Sequence, residues 1–298
     1  MEKPNTGIYY AVASSLTFSF MNVLVKATSA SVSSHQIVFF RSIIGLIIVS
    51  MIMKKEKISL SKHNRKILVL RGMLGGFYMI AYFLTLSKLP LIDTMILVNL
   101  SPLFVYIISR VLLKEKGLPG TKIAISVIII GAITAIAPWN FTSFTLWAIA
   151  GILAALFAGA SAVSIRYLGQ EGHPSTEIIF YFMLMASITS FPLMIKEFVW
   201  PSVDQWIALI FIGVISLLAQ IYLTRAFTHE NAFLVTVVRY VGIVFNGIWG
   251  FLLWKEVPSS FVLIGGSFII SGCILLNYSK NRVVKTISKD HGVSSKVS

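Results

Sequence analysis

The 298-residue chain is poor in charged residues and in cysteine. Charged side chains make up 12% of the sequence and hydrophobic residues 56%. A soluble globular domain has about twice that charged share, so too few charges are present to cover a water-facing surface. The composition therefore excludes an ordinary soluble domain. The single cysteine, Cys273, excludes a disulfide within the chain.

Motifs of several enzyme and pump classes are also absent from the sequence. The segment 117–122 (GLPGTK) lacks the four residues that separate the two glycines of a phosphate-binding loop. The five histidines are dispersed without metal-ligand spacing, and no Gly-x-Ser-x-Gly segment provides a nucleophile elbow. We therefore expect neither an enzyme nor a nucleotide-driven pump, and we expect no cofactor and no metal site.

Charge of one sign dominates, with 25 Lys and Arg against 11 Asp and Glu and a net charge of +14. The basic residues lie between apolar blocks and in the C-terminal tail, where they orient a membrane protein. They do not form a patch of the kind that binds nucleic acid, so we expect no nucleic-acid partner.

The apolar residues occur in blocks of roughly 18–23, the length of a helix that crosses the hydrocarbon core of a bilayer. We predict an all-α membrane protein with ten transmembrane helices, and the lipid bilayer is its environment. The first apolar run is expected to be a retained span and not a cleaved signal peptide. The predicted spans are 7–26, 36–53, 67–87, 91–113, 120–137, 144–165, 175–195, 204–224, 231–253 and 259–278.

An internal repeat with a constant offset of 141 residues divides these spans into two halves. Segment 37–40 (IVFF) recurs as 178–181 (IIFY), Lys114-Glu115 recurs as Lys255-Glu256, and Gly131 recurs as Gly272. Such self-similarity indicates a duplicated unit. We predict a first five-helix repeat over 7–137, a second over 144–278, and a disordered basic tail over 279–298.

Lys and Arg accumulate on one side of the predicted spans, and this side includes both termini. The positive-inside rule assigns that side, with both termini, to the cytoplasm. Because each half has an odd number of spans, the second half must enter the membrane upside down. Two inverted five-helix repeats are a recurrent architecture of secondary transporters, with the substrate bound near the midplane.

Several motifs resemble one transporter family. Segment 88–102 (KLPLIDTMILVNLSP) leads to 112–115 (LLKE), and Arg239-Tyr240 leads to 254–258 (WKEVP). These motifs resemble the EamA-type branch of the drug/metabolite transporter superfamily over about residues 7–278. The resemblance implies a bacterial inner-membrane protein; family members export amino acids and drugs or import metabolites and cofactors. Segment 38–41 (VFFR) with Arg239-Tyr240 is similar to S-adenosylmethionine uptake members, although related members share such strings.

Arg239 is the first candidate for substrate binding. It lies nine residues into the ninth predicted span, and an unpaired charge inside a membrane is costly. Asn246, seven residues on, shares its helical face, and Tyr240 is its neighbour in the motif. The alternative is a structural arginine bonded to carbonyls or to a carboxylate.

Other polar residues inside the spans are weaker candidates. Arg41 either faces the pocket or extends to the interface, and arginines near cytoplasmic ends, including Arg71, are interpreted as orientation residues. The remaining candidates for substrate binding either line a pocket or form interhelical hydrogen bonds; they are Asn22, Tyr82, Asn99 and Gln220. Asp93 and Glu177 are candidates for proton or cation coupling, and the alternative for both is a carboxylate that stabilises a helix N-terminus.

Together these features predict a secondary transporter that moves a small polar metabolite by alternating access. A deep arginine without an equally deep carboxylate favours a substrate that bears a carboxylate or phosphate, such as an amino acid-like or nucleoside-like solute or S-adenosylmethionine. The alternatives are efflux of amphiphilic drugs and a lipid-scrambling or structural membrane component. The sequence is compatible with a homodimer but determines neither the oligomeric state nor the direction of transport.

Overall fold

A computed structural model describes residues 6–98, 100–113, 121–136, 143–230, 235, 238, 239, 241–257, 260, 261, 263–272, 274 and 275. The regular secondary structure of this part of the chain is entirely helical. The helices are α1 (Thr6–Thr28), α2 (Ser34–Lys55), α3 (Arg65–Lys88), α4 (Leu91–Val98), α5 (Ser101–Leu113), α6 (Thr121–Ile136), α7 (Ser143–Gln170), α8 (Ser175–Lys196), α9 (Val203–His229), α10 (Val241–Trp254) and α11 (Leu263–Gly272).

Six of these helices are long and apolar enough to cross a membrane: α1, α2, α3, α7, α8 and α9. Large apolar side chains such as Ile47, Phe211 and Phe251 remain about half exposed on the outer surface of the bundle. A helix with apolar residues on both its packed and its exposed faces is stable in lipid and not in water. The protein is therefore a multi-pass membrane protein, as the composition predicts.

Polar residues at helix starts explain where several spans begin. The Ser33 hydroxyl accepts a hydrogen bond from the Gln36 N–H at the start of α2. Ser202 and Gln205 form a reciprocal capping box at the start of α9. These caps satisfy N–H groups that have no partner within the helix.

The predicted fourth span, 91–113, is wrong as a single helix. Helix α4 ends at Val98 and α5 begins at Ser101, with Leu100 in a turn between them. Pro102 is the second residue of α5, where its missing N–H is tolerated, and its ring disfavours the helical conformation in the preceding residue. The fourth predicted span therefore consists of two shorter helices separated by a turn.

The predicted ninth span, 231–253, has a corresponding break. Arg239 lies in a turn, and its carbonyl accepts a hydrogen bond of 2.9 Å from the Gly242 N–H. The described helix α10 starts at Val241. With the 141-residue offset, Arg239 corresponds to Val98, the last residue of α4, so the two halves are interrupted at neighbouring positions of the repeat.

Helix packing is reciprocal between the halves. The α1–α9 and α3–α7 pairs have the most extensive contacts, and the α2–α8 pair is nearly as extensive. In the repeat with its 141-residue offset, α1 is equivalent to α7, α3 to α9, and α2 to α8. Exchanging the halves therefore converts the α1–α9 pair into the α3–α7 pair and the α2–α8 pair into itself.

Close contacts between α6 and α11 follow the same exchange. A Cβ added to Gly131 would lie 2.7 Å from the Gly265 carbonyl oxygen, and one added to Gly272 would lie 2.9 Å from the Ala124 carbonyl oxygen. Residues 131 and 272 are equivalent in the repeat, and so are 124 and 265. Each contact is thus the counterpart of the other under the 141-residue offset.

Candidate functional site

A polar cavity lies where the two broken helices meet the long helices. Its two adjoining lobes share Phe18, Tyr78, Ser101 and Arg239. One lobe is also lined by Arg71, Gly75, Ala158, Ser161, Ala162, Ile165, Phe182, Gln220, Leu223 and Phe227. The other is also lined by Ser15, Asn22, Met79, Tyr82, Met95, Val98, Gly242 and Asn246. We call the first the Arg71 lobe and the second the Asn246 lobe.

Arg239 lies at the junction of the lobes. Its side chain interacts electrostatically with Tyr78, which lines both lobes with it. Its Nε has no hydrogen-bond partner, and the ion pairs found in the described part of the chain do not include it. The sequence predicts Arg239 inside a helix, the ninth span, whereas the structure places it in a turn. From this turn its side chain lines the cavity.

Three of the predicted polar residues form one hydrogen-bonded network in the Asn246 lobe. The Tyr82 hydroxyl donates to Asn22 Oδ1 at 2.8 Å, and Asn22 Nδ2 donates to Asn246 Oδ1 at 2.9 Å. Asn246 Nδ2 in turn donates to the Gly242 carbonyl at 2.7 Å. The network joins α1 and α3 of the first half to α10 of the second, so these side chains both line the cavity and hold helices together.

Gln220 lies in the Arg71 lobe, where its Nε2 approaches Thr224 Oγ1 at 3.3 Å. Arg41 lies elsewhere: it is fully buried, its Nη1 contacts the Met79 sulfur at 3.0 Å, and it is not among the residues that line either lobe. Asn99 and Tyr240, the other two predicted residues, lie outside the described residues.

Arg71 is the residue that sequence reasoning missed. Its sequence position near a predicted span end indicates an orientation residue, whereas in the structure its side chain is only 2% exposed and lines the cavity. The surrounding glycines Gly72, Gly75 and Gly76 are the feature that could have identified it. Glycines permit close helix approach, and an arginine beside them faces neighbouring helices and not lipid.

The two predicted coupling carboxylates lie in different surroundings. Asp93 lies in the first turn of α4 and is 5% exposed. Its Oδ1 has no hydrogen-bond partner among the described residues. The carboxylate interacts electrostatically with Lys26 and Glu256. Lys26 and Glu256 form an ion pair with each other, and a Glu256 oxygen accepts a 2.9 Å hydrogen bond from the Leu91 N–H. This cluster joins the ends of α1 and α10 to the start of α4.

Glu177 lies outside the cavity, in a group of hydrogen bonds between a helix and a loop. It contacts His173 Nδ1 at 2.8 Å and accepts a 2.6 Å hydrogen bond from the Ser61 N–H. Gln36 is its equivalent in the first repeat, and Gln36 bonds the Val199 backbone in the same manner. Each side chain thus connects the first turn of one helix to the loop that follows its partner helix.

The electrostatic character of the cavity is cationic. Two guanidinium groups, of Arg71 and Arg239, line it, and no Asp or Glu is among its described lining residues. Ser101 is the first residue of α5 and Gly242 is the second residue of α10, so the N-termini of both helices lie at the cavity wall. Helix N-termini carry partial positive charge, so the site is arranged to attract an anion.

Comparison with known proteins identifies the class of this cavity-bearing helical bundle. The model of the EamA-like transporter family matches the chain twice, over residues 5–137 and 145–278. The chain therefore belongs to the EamA-like transporter family, which confirms the resemblance found in the sequence motifs.

Individual relatives are transporters of small molecules. The chain is 41% identical over 276 residues to the pseudopaline exporter CntI of Pseudomonas aeruginosa strain UCBPP-PA14, covering 92% of this chain and 97% of the relative. It is 23% identical to the S-adenosylmethionine uptake transporter of Rickettsia prowazekii, covering 96% of each. A solved crystal structure of 17% identity superimposes with a TM-score of 0.65 and covers 92% of this chain and 98% of that chain. This last similarity concerns the fold alone.

Proposed function

We propose that the protein is a secondary transporter that exports a small anionic metabolite from the bacterial cytoplasm by alternating access. The observation that carries the proposal is Arg239, which has no carboxylate partner among the described residues and lies in a cavity between two broken helices. A carboxylate or phosphate of the substrate would supply the missing negative charge through charge-assisted hydrogen bonds.

The alternating-access mechanism requires two conformations of similar energy. We propose ten membrane spans arranged as two inverted repeats, 7–137 and 144–278, that exchange conformations. The reciprocal α1–α9 and α3–α7 packing supports this arrangement, as do the breaks near Val98 and Arg239, at neighbouring positions of the repeat. An odd number of spans in each repeat would orient the two-fold axis in the membrane plane, the arrangement of many secondary transporters.

The proposed location is the inner membrane, with both termini and the basic tail 279–298 in the cytoplasm. In this orientation the Arg71 lobe lies toward the cytoplasm, and the Lys26–Glu256 ion pair lies at the external end of the cavity. The described conformation would then be closed to the outside. We propose that Asp93, adjacent to this ion pair, carries the coupling proton, because protonation there would alter the charge balance of the closed end.

The direction of transport is proposed from the similarity to an exporter, and the anionic substrate from the cavity itself. Pseudopaline, the substrate named for the 41% identical relative, is the first compound to test. A cationic drug is disfavoured, because Arg71 and Arg239 would repel it and no lining carboxylate among the described residues would attract it.

The test is transport into inverted membrane vesicles or proteoliposomes with a metabolite library that includes pseudopaline, S-adenosylmethionine, amino acids and cationic dyes. We expect an anionic compound to accumulate with the wild-type protein and not with Arg239→Ala. The control is Arg65→Gln, which changes an exposed arginine at the start of α3. Accumulation of cationic dyes alone, or full activity of Arg239→Ala, would contradict the proposal.

A further inference from the structure

Two arginines with unpaired nitrogen atoms line the Arg71 lobe, one from each half of the protein. Arg71 is 2% exposed, and its Nε and Nη1 have no hydrogen-bond partners in the described structure. Arg239 contributes its own unpartnered Nε to the same lobe. From this we infer that the transporter binds a substrate with two separated anionic groups, one at Arg239 and the second at Arg71.

The position of Arg71 is built into the packing. Its guanidinium lies 4.8 Å from the centroid of the Phe182 ring. A Cβ added to Gly75 would lie 2.5 Å from Arg71 Nη1 and would also overlap the Phe182 ring. The absence of a side chain at position 75 therefore leaves the space in which the guanidinium sits on the ring. The face of the ring holds the arginine without consuming its hydrogen-bond donors.

A second anion would balance the charge of the lobe. A buried guanidinium without a partner carries a large desolvation cost. Arg71 is buried and Arg239 is half-buried, and neither forms an ion pair within the described residues. One carboxylate at Arg239 would leave Arg71 uncompensated. A dianion would neutralise both cations and supply acceptors for both sets of free donors.

This inference rests on the proposed function, since it assigns a second contact within the same substrate site. Its test uses purified full-length protein in lipid nanodiscs. The probes are glutarate, adipate and suberate, which differ in the separation of their carboxylates, and the monoamide of each. We expect the wild-type protein to bind at least one dicarboxylate about tenfold or more tightly than its monoamide, the effect of one charge-assisted hydrogen bond.

Three variants separate the roles of the two arginines. Arg71→Gln should abolish the preference for the dicarboxylate while the monoamide still binds. Arg239→Gln should weaken the binding of both ligands, and Arg65→Gln should change neither. Two further variants replace Arg71→Gln if it does not fold, and both should reduce the preference for the dicarboxylate. Arg71→Lys keeps the charge and loses the planar fork. Gly75→Ala displaces the guanidinium.

The possible failures are distinguishable. If Arg71 has only a structural role, Arg71→Gln or Arg71→Lys will lower the melting temperature and leave the dicarboxylate-to-monoamide ratio unchanged, which would overturn the inference. A wild-type protein without a preference for any of the three dicarboxylates would also overturn it. If Arg239→Gln leaves the binding of both ligand types intact, the proposed function itself is wrong.

Discussion

Asn22 and Asn246, 224 residues apart in sequence, form a direct hydrogen bond of 2.9 Å between their side-chain amides. Both side chains are 1% exposed, so the bond is shielded from water and lies in the wall of the cavity. It connects α1 to α10 next to the second helix break. A bond at this position forms part of the cavity wall and connects the two halves in the described conformation.

Removing both partners of this pair should cost less than the sum of the two single losses. Asn246→Leu leaves the Asn22 amide buried without its acceptor, a loss of about 1–3 kcal/mol in the free energy of unfolding. In the double variant Asn22→Leu with Asn246→Leu, the loss in the free energy of unfolding should be smaller than the sum of the two single losses by about 0.6–1.7 kcal/mol. This is the range measured for hydrogen bonds between membrane helices. A double-mutant cycle of denaturant unfolding in micelles measures this coupling, and strict additivity would show that the bond contributes nothing.

Arg239→Lys tests whether the guanidinium fork or only the charge is needed. Lysine retains the positive charge but cannot grip a carboxylate with two parallel N–H donors. Loss of one charge-assisted hydrogen bond costs about 1.5–3 kcal/mol, so the affinity for the transported anion should fall about tenfold or more. Arg239→Ala should weaken binding further. Ligand-binding assays on the folded variants measure the loss, and wild-type affinity in Arg239→Lys would favour a purely structural arginine.

The ion pair between Lys26 and Glu256 should stabilise closure at one end of the cavity. Glu256→Gln removes the attraction to Lys26 while its amide oxygen can still accept from the Leu91 N–H. In a Cys273→Ser background, a cysteine at Ser101 should become more reactive toward an impermeant external thiol reagent when Glu256→Gln is present. The charge exchange Lys26→Glu with Glu256→Lys should partly restore protection. Equal labelling in all of these variants would exclude a gating role.

Asp93 and Glu177 should behave differently when neutralised. Asp93→Asn should abolish accumulation driven by a proton gradient and preserve counterflow exchange, because binding remains and only the coupling group is lost. Glu177→Gln should retain gradient-driven accumulation and lower the thermal stability, because Glu177 contacts His173 and the Ser61 N–H. Measuring both transport modes for each variant distinguishes the two roles. Loss of coupling in Glu177→Gln alone would reverse the assignment.

The proposed inverted topology can be tested with single cysteines in the Cys273→Ser background. Ser202, the cap of α9, should be labelled by an impermeant reagent from outside intact cells. Ser61, in the loop between α2 and α3, should react only after the membrane is permeabilised. Labelling of both positions from the same side would exclude the inverted arrangement.

Much of the architecture follows from local sequence. Hydropathy determines the six long helices, because a long apolar segment in lipid must satisfy its backbone polar groups internally and a helix does so. The ends of these helices differ from the predicted spans by a few residues. The 141-residue offset likewise identifies equivalent positions such as Gly131 and Gly272 before any contact between them is known. Periodicity and repetition are properties of the order of residues, so they can be read without coordinates.

Tertiary structure alone decided which polar side chains share a site. Depth along a predicted span favoured Arg239 and disfavoured Arg71, yet both line one cavity, whereas Arg41 packs outside it. Depth does not reveal the direction in which a side chain points. Asn22 and Asn246 are matched across 224 residues only because the packing of α1, α3 and α10 brings their amides together, a relation that no local pattern encodes.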